Sequence, residues 1–116
     1  MRPKLANGQW KKPFDQVFTN HYHPGDDYCE GTAYQWTLFV PHDSKGLMNL
    51  YGGKEIFISQ LDSLFIRKSE IHDDGKGAPD ITGMVGQYAH GNEPNHHTIY
   101  MYNCLGQPWK TQKWIN

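Results

Sequence analysis

Gly52-Gly53-Lys54-Glu55-Ile56-Phe57-Ile58-Ser59-Gln60-Leu61-Asp62-Ser63-Leu64-Phe65 is the stretch on which the fold class turns. Phe57, Leu61, Leu64 and Phe65 recur at helical spacing, while Lys54, Ser59, Gln60 and Asp62 lie largely off that face. The glycine pair supplies a break in front of it. This segment is predicted to be the strongest helix, over about residues 53–66.

Working outward, Ala33, Trp36, Thr37 and Val40 fall at i, i+3, i+4, i+7, which predicts a helix from Gly31 to Val40 that Pro41 stops. Glu30 then stands at or just before its first turn. Pro94 is placed to open another helix reaching Leu105 before Gly106, and Pro108 one more through Ile115. Residues 1–29 carry Pro3, Pro13, Pro24, Gly8 and Gly25 and read as loop, as does 69–79 with its Asp73-Asp74-Gly75 run. Gly83, Gly86 and Gly91 mark a segment that turns tightly. Alternating patterns are scarce, so the expectation is an all-α chain whose helices are joined by long polar loops.

With 116 residues the chain is one domain at most, and its mean hydropathy of -0.77 is polar for a free-standing domain. Aromatic residues still make up 14%, with four Trp and seven Tyr, which argues against disorder and suits a site that handles a polar ligand. Eleven basic and 12 acidic side chains are mixed without a basic stripe, so no nucleic-acid partner is expected. No apolar run approaches the roughly 20 residues a membrane span needs. The N-terminus shows no signal-peptide pattern, and the last predicted helix has barely begun at Asn116, so the sequence reads as a fragment. Cys29 and Cys104 fit no metal or redox spacing and are expected to be unbridged small residues.

Three features carry chemistry, each beside an ordinary reading. Asp26-Asp27-Tyr28-Cys29-Glu30-Gly31 sets a carboxylate at a glycine turn before an aromatic helix, a setting for a general acid. An acid in a first turn is also simply favoured by the helix dipole. His90-Gly91-Asn92-Glu93-Pro94 crowds polar groups onto a loop that opens a helix. Asn92 and Glu93 offer the oxygen ligands that calcium requires, and His90 can bond a neutral hydroxyl. A capped helix with solvated His96 and His97 is the plain alternative. Seven histidines, with His21-x-His23 and His96-His97, invite zinc, but no His-Glu-x-x-His or three-ligand helix face supports it.

The string Asp27-Tyr28-Cys29-Glu30-Gly31-Thr32-Ala33-Tyr34-Gln35-Trp36-Thr37-Leu38-Phe39-Val40-Pro41-His42-Asp43 resembles a signature of glycoside hydrolase family 92. So does Asp80-Ile81-Thr82-Gly83-Met84-Val85-Gly86-Gln87-Tyr88-Ala89-His90-Gly91-Asn92-Glu93-Pro94, and the likeness extends over nearly the whole chain. It departs at Thr32 and Tyr34, where the family typically has Asn and Trp, and at Cys29, often Thr.

The resemblance implies a piece, residues 1–116, of an (α/α)6-barrel catalytic domain that follows a β-sandwich. It implies inverting, calcium-dependent, exo-acting removal of α-linked mannose from glycans. Glu30 corresponds to the general acid, and His90–Glu93 to part of the sugar and metal site, with Asn92 and Glu93 toward Ca2+. The general base lies beyond residue 116. Trp36 and Tyr34 are candidates to stack on the sugar, with core packing as the ordinary alternative. The parent protein is expected to be secreted, periplasmic or at the cell surface, a location these residues do not themselves encode. The rival expectation is a non-catalytic carbohydrate- or calcium-binding relic of the same fold.

Overall fold

The computed structural model describes residues 1–20, 26–75 and 77–116. The chain is mostly helical. Helix α1 spans Ala33–Thr37, α2 Ser44–Leu50, α3 Lys54–Ile66, α4 Met101–Cys104 and α5 Pro108–Ile115, with short 3-10 turns at Pro41–Asp43, Glu93–Asn95 and Thr98–Tyr100. One small antiparallel hairpin, β1 Met84–Val85 and β2 Tyr88–Ala89, corrects the expectation of a purely α chain.

Helix α3 forms where its periodicity predicts, and it organises the core. Phe57, Ile58, Leu61, Leu64 and Phe65 are buried along one face. Phe65 stacks on Trp114 of α5 with ring centroids 5.0 Å apart and also meets Tyr88 and Tyr102, at 5.1 and 5.9 Å. Removing so large a buried ring typically costs about 3–5 kcal/mol. Leu38, Leu47, Ile99, Met101 and Leu105 complete the cluster. Asp62, on the flank of α3, accepts from Lys110 Nζ at 2.5 Å and from the Tyr102 hydroxyl at 3.0 Å, tying α3 to α4 and α5. Burial, then Asp62, push the Tyr102 phenol pKa upward, so that hydroxyl remains a donor.

The remaining predictions divide by how local their causes are. Helix α5 matches expectation, opened by Pro108. Between α4 and α5, Gln107 N donates to Tyr102 O at 2.9 Å and Gly106 N to Asn103 O at 3.1 Å, the paired bonds of a Schellman ending. Helix α2 is not among the predicted elements. Its cap is Asp43, whose Oδ1 accepts from Gly46 N at 2.8 Å.

The helix expected over 31–40 shortens to Ala33–Thr37. Thr37 Oγ1 bonds back to Ala33 O at 2.6 Å, and Val40 N turns to Leu38 O at 2.8 Å, ending the α pattern. The helix expected from Pro94 to Leu105 breaks into 3-10 turns and the single turn of α4. Asn92, Asn95, Thr98 and Met101 are all buried, at three-residue intervals. That is the period of a 3-10 winding, in which i and i+3 eclipse, so tight turns bury one polar-to-apolar row that an α-helix would spread.

The hairpin pairs Met84 with Ala89 and Val85 with Tyr88. Gly86 opens its two-residue turn at φ 62°, the conformation a II′-type hairpin asks of its first loop residue. It also lies against α3, since a Cβ there would stand 2.3 Å from Leu64 O and 2.5 Å from Phe65 O. Gln87 N donates to Leu64 O at 2.8 Å, and its side-chain amide donates to Lys68 O and Glu70 O, each at 2.8 Å. The hairpin tip is thereby fastened to the end of α3. Segment 1–20 is loop as predicted, apart from isolated bridges Lys4–Trp10 and Phe18–His72. Cys29 and Cys104 are free thiols, and both are exposed rather than buried. No helix among the described residues is long and apolar enough to cross a membrane.

Candidate functional site

Two loops meet in front of α1. The first is the Cys29-Glu30-Gly31 turn. Glu30 has φ 51°, the one non-glycine left-handed residue among those described. A Cβ crowds the backbone in that region, so such a residue is held there by its surroundings. The second is the His90–Glu93 loop leaving the hairpin. Asn92, 2% exposed, donates its side-chain amide to Glu30 O at 2.5 Å, so the two loops are stitched at the acid.

The expected site residues gather on these loops. Trp36, half-buried on α1, donates its indole N–H to Cys29 O at 2.7 Å. Its ring meets Phe39 edge-on at 4.9 Å, and Phe39 in turn meets His97 at 5.6 Å. His90 is exposed, with Nδ1 2.8 Å from the Tyr88 hydroxyl, and its own carbonyl contacts His96 Nε2 at 2.9 Å. Glu93 opens the following 3-10 turn and is exposed. Glu30 is exposed as well, leaving its carboxyl open to a ligand.

Gln35 anchors the arrangement from behind. Its Oε1 accepts from Thr32 N at 2.8 Å and its amide reaches Gln87 O at 3.4 Å, linking α1 to the hairpin. The pattern of helix spacing did not point to Tyr88, Phe39 or His97. Tyr88 is buried beside Phe65, and only its position two residues before His90 on an extended strand brings it to that imidazole. His97, solvated in the plain capped-helix alternative, spans back to Leu38 O at 2.8 Å.

The fit to calcium rests on donor chemistry. Only the amide nitrogen of Asn92 can face a carbonyl oxygen, so Oδ1 is turned away from Glu30. That oxygen and the Glu93 carboxylate are hard donors suited to calcium, as part of a shell of six to eight oxygens. Among the described residues no three His, Cys, Asp or Glu side chains gather into a metal cluster. His21-x-His23 lies outside the described residues.

The family model described as the glycosyl hydrolase family 92 catalytic domain matches residues 1–116. The chain belongs to glycoside hydrolase family 92. A solved family 92 α-mannosidase of Bacteroides thetaiotaomicron in complex with mannoimidazole is 46% identical, with a TM-score of 0.76, covering 99% of this chain and 15% of that one. An inverting family 92 mannosidase of the same species is 41% identical, with a TM-score of 0.68, over 97% of this chain and 16% of the other. An uncharacterized secreted glycosidase of Arthroderma benhamiae is 27% identical over 113 residues, 92% of this chain and 12% of its own length. The family 92 chain thus spans about a sixth or less of the relatives it matches.

Proposed function

We propose that the complete protein carrying this chain is an inverting, calcium-dependent, exo-acting α-mannosidase that acts on mannose-containing glycans. In this reading the chain forms part of an (α/α)6 barrel, and Glu30 is the general acid. The observation that carries it is the 2.5 Å contact from Asn92 to Glu30 O, which joins the acid's turn to the polar His90–Glu93 loop within a chain of this family. The relative bound to mannoimidazole and the relative described as inverting support the substrate class and the stereochemistry. The secreted description of the fungal relative supports an extracytoplasmic setting.

Inversion needs a carboxylic acid on the leaving oxygen and a second carboxylate activating water from the other face of the sugar, roughly 6.5–9.5 Å away. Glu30 delivers the first proton to the departing glycosidic oxygen, and the base belongs to a part of the domain beyond residue 116. His90 holds a sugar hydroxyl, with Tyr88 fixing its ring. Glu93 and the Asn92 side-chain oxygen turned away from Glu30 would hold the cation. A bound calcium ion supplies positive charge and a template for neighbouring hydroxyls. Trp36 and Phe39 present paired aromatic rings beside the Glu30 turn.

The test compares two substrates on the complete protein. Glu30→Gln keeps the side chain's shape and removes its proton. Turnover of an alkyl mannoside is expected to fall by about 10²–10⁴-fold, with a much smaller loss for an activated aryl mannoside that leaves without protonation. Equal losses on both substrates rule Glu30 out as the acid.

A further inference from the structure

We infer that Trp36 and Asn92 form a two-point clamp that aims the Glu30 carboxyl, so that both act as positioning residues for the proton donor. The inference rests on the reading of Glu30 as the acid. Each peptide unit is planar and rigid, so the backbone at residue 30 has two plates hinged at its Cα. The plate before the hinge carries Cys29 O, which accepts from the Trp36 indole at 2.7 Å. The plate after it carries Glu30 O, which accepts from the Asn92 amide at 2.5 Å. Both plates are therefore pinned by side chains from different elements, one on α1 and one on the loop after the hairpin. With the plates fixed, φ and ψ of Glu30 are fixed, and with them the direction of its Cα–Cβ bond.

The conformation being held is one a glutamate does not choose. A φ of 51° is unfavourable for a residue with a Cβ, and no glycine stands at this position to relieve it. The pinning groups are themselves well supported. Asn92 is buried, and its carbonyl accepts from Asn95 N at 3.0 Å at the start of the 3-10 turn. Trp36 reaches Cys29 O because residue 31 is glycine. A Cβ on Gly31 would stand 2.8 Å from Trp36 Nε1 and 3.0 Å from its Cδ1, forcing the indole off the carbonyl. Thus the Glu30-Gly31 pair works as a unit: the first residue supplies the carboxyl, and the second leaves room for the donor that aims it.

The clamp gives Trp36 and Asn92 a job other than touching the ligand. Trp36 acts through its N–H, and Asn92 through the amide face turned inward. Misplacing a catalytic group by about 1 Å can cost 10²-fold in rate. Losing either donor should therefore look like a weakened acid, even though Glu30 itself remains.

The experiment uses the complete protein with Trp36→Phe, Asn92→Asp and Gly31→Ala, run beside Glu30→Gln. Trp36→Phe keeps an aromatic ring without the N–H, and Asn92→Asp keeps the side-chain oxygen without the amide donor. Each clamp variant is expected to lower kcat for an alkyl mannoside by about 10- to 100-fold. For an activated aryl mannoside at saturating calcium the loss in kcat should be much smaller, with any change in KM alike for the two substrates. Equal losses on the two substrates, or a change in KM alone, overturn the clamp. A variant whose circular dichroism melt is lost marks its residue as a support of the fold and overturns the proposal for that residue. If Glu30→Gln shows leaving-group dependence and the clamp variants do not, the clamp fails while the acid stands. If Glu30→Gln shows none, the acid reading fails first and takes the clamp with it.

Discussion

The Tyr88 hydroxyl and His90 Nδ1 stand 2.8 Å apart, a buried phenol against an exposed imidazole. Burial, with a smaller contribution from Tyr100, pushes the Tyr88 phenol up to about 12, so it keeps its proton throughout the neutral range. A phenol that donates to Nδ1 leaves the proton of a neutral His90 on Nε2, as a donor for a ligand. Tyr88→Phe is expected to raise KM for mannosides by about 2- to 10-fold with kcat much less affected, the scale of one hydrogen bond. Steady-state kinetics on the complete protein check it, and an unchanged KM denies Tyr88 this role.

Glu93→Gln removes a charge from the polar loop without touching the proposed proton donor. The calcium concentration needed for half-maximal rate is expected to rise by about tenfold or more, since calcium affinity follows ligand charge. Losses at saturating metal should be alike for alkyl and aryl mannosides. A leaving-group dependence in this variant instead of in Glu30→Gln would exchange the two assignments.

His72 lies between two carboxylates, with Nδ1 2.5 Å from Asp15 and Nε2 3.0 Å from Glu70. The bond to Asp15, then that to Glu70, raises the His72 pKa above its ordinary 6.5. The bond to His72 lowers Asp15 from 3.8 and Glu70 from 4.5. The imidazolium's contribution is complete below pH 6.5 and fades as pH rises through its elevated value. The carboxylates contribute above about pH 4.5 and lose that as pH falls through their depressed values. The cluster is therefore most favourable between about pH 4.5 and 6.5. An NMR titration should place His72 above 6.5, and Asp15→Asn should move it back downward. An unshifted His72 would show that the contacts do not persist in solution.

Gly86→Ala places a methyl 2.3 Å from Leu64 O in a backbone of φ 62°. Overpacking and the left-handed conformation together should cost roughly 2–4 kcal/mol. The complete protein is expected to melt at lower temperature, while Gly8→Ala, where nothing lies within 4 Å, should cost only its backbone strain. Equal shifts for the two variants would show that the hairpin is not pressed onto α3.

A mannoside assay on the purified 116-residue chain should read background, because the reading assigns the base to another part of the domain. Turnover by the chain alone would mean that an acid such as Asp27 or Asp43 replaces it.

Local pattern was enough for α3 and α5. The apolar stripe at Phe57, Leu61, Leu64 and Phe65 and the proline at 108 act within a few residues of themselves. Those signals survive in any surroundings that cover the stripe. The family likeness also singled out Glu30 and the His90–Glu93 loop, because collinear blocks of side chains are visible without coordinates. What tertiary structure alone decided is how those groups bear on each other. Asn92 lies 62 residues from Glu30 in sequence and Gln87 lies 52 from Gln35, and no periodicity reports such a contact. Local bonds among Ala33, Thr37, Leu38 and Val40 shortened α1, and the helix expected after Pro94 broke into 3-10 turns. The bond from Asn92 to Glu30 O, with Asn95 and Thr98 buried beside it in the chain, outweighed a local helix preference worth only tenths of a kcal/mol per residue. The amino-acid order named the chemical groups, and the packing of the two loops across α1 set their directions.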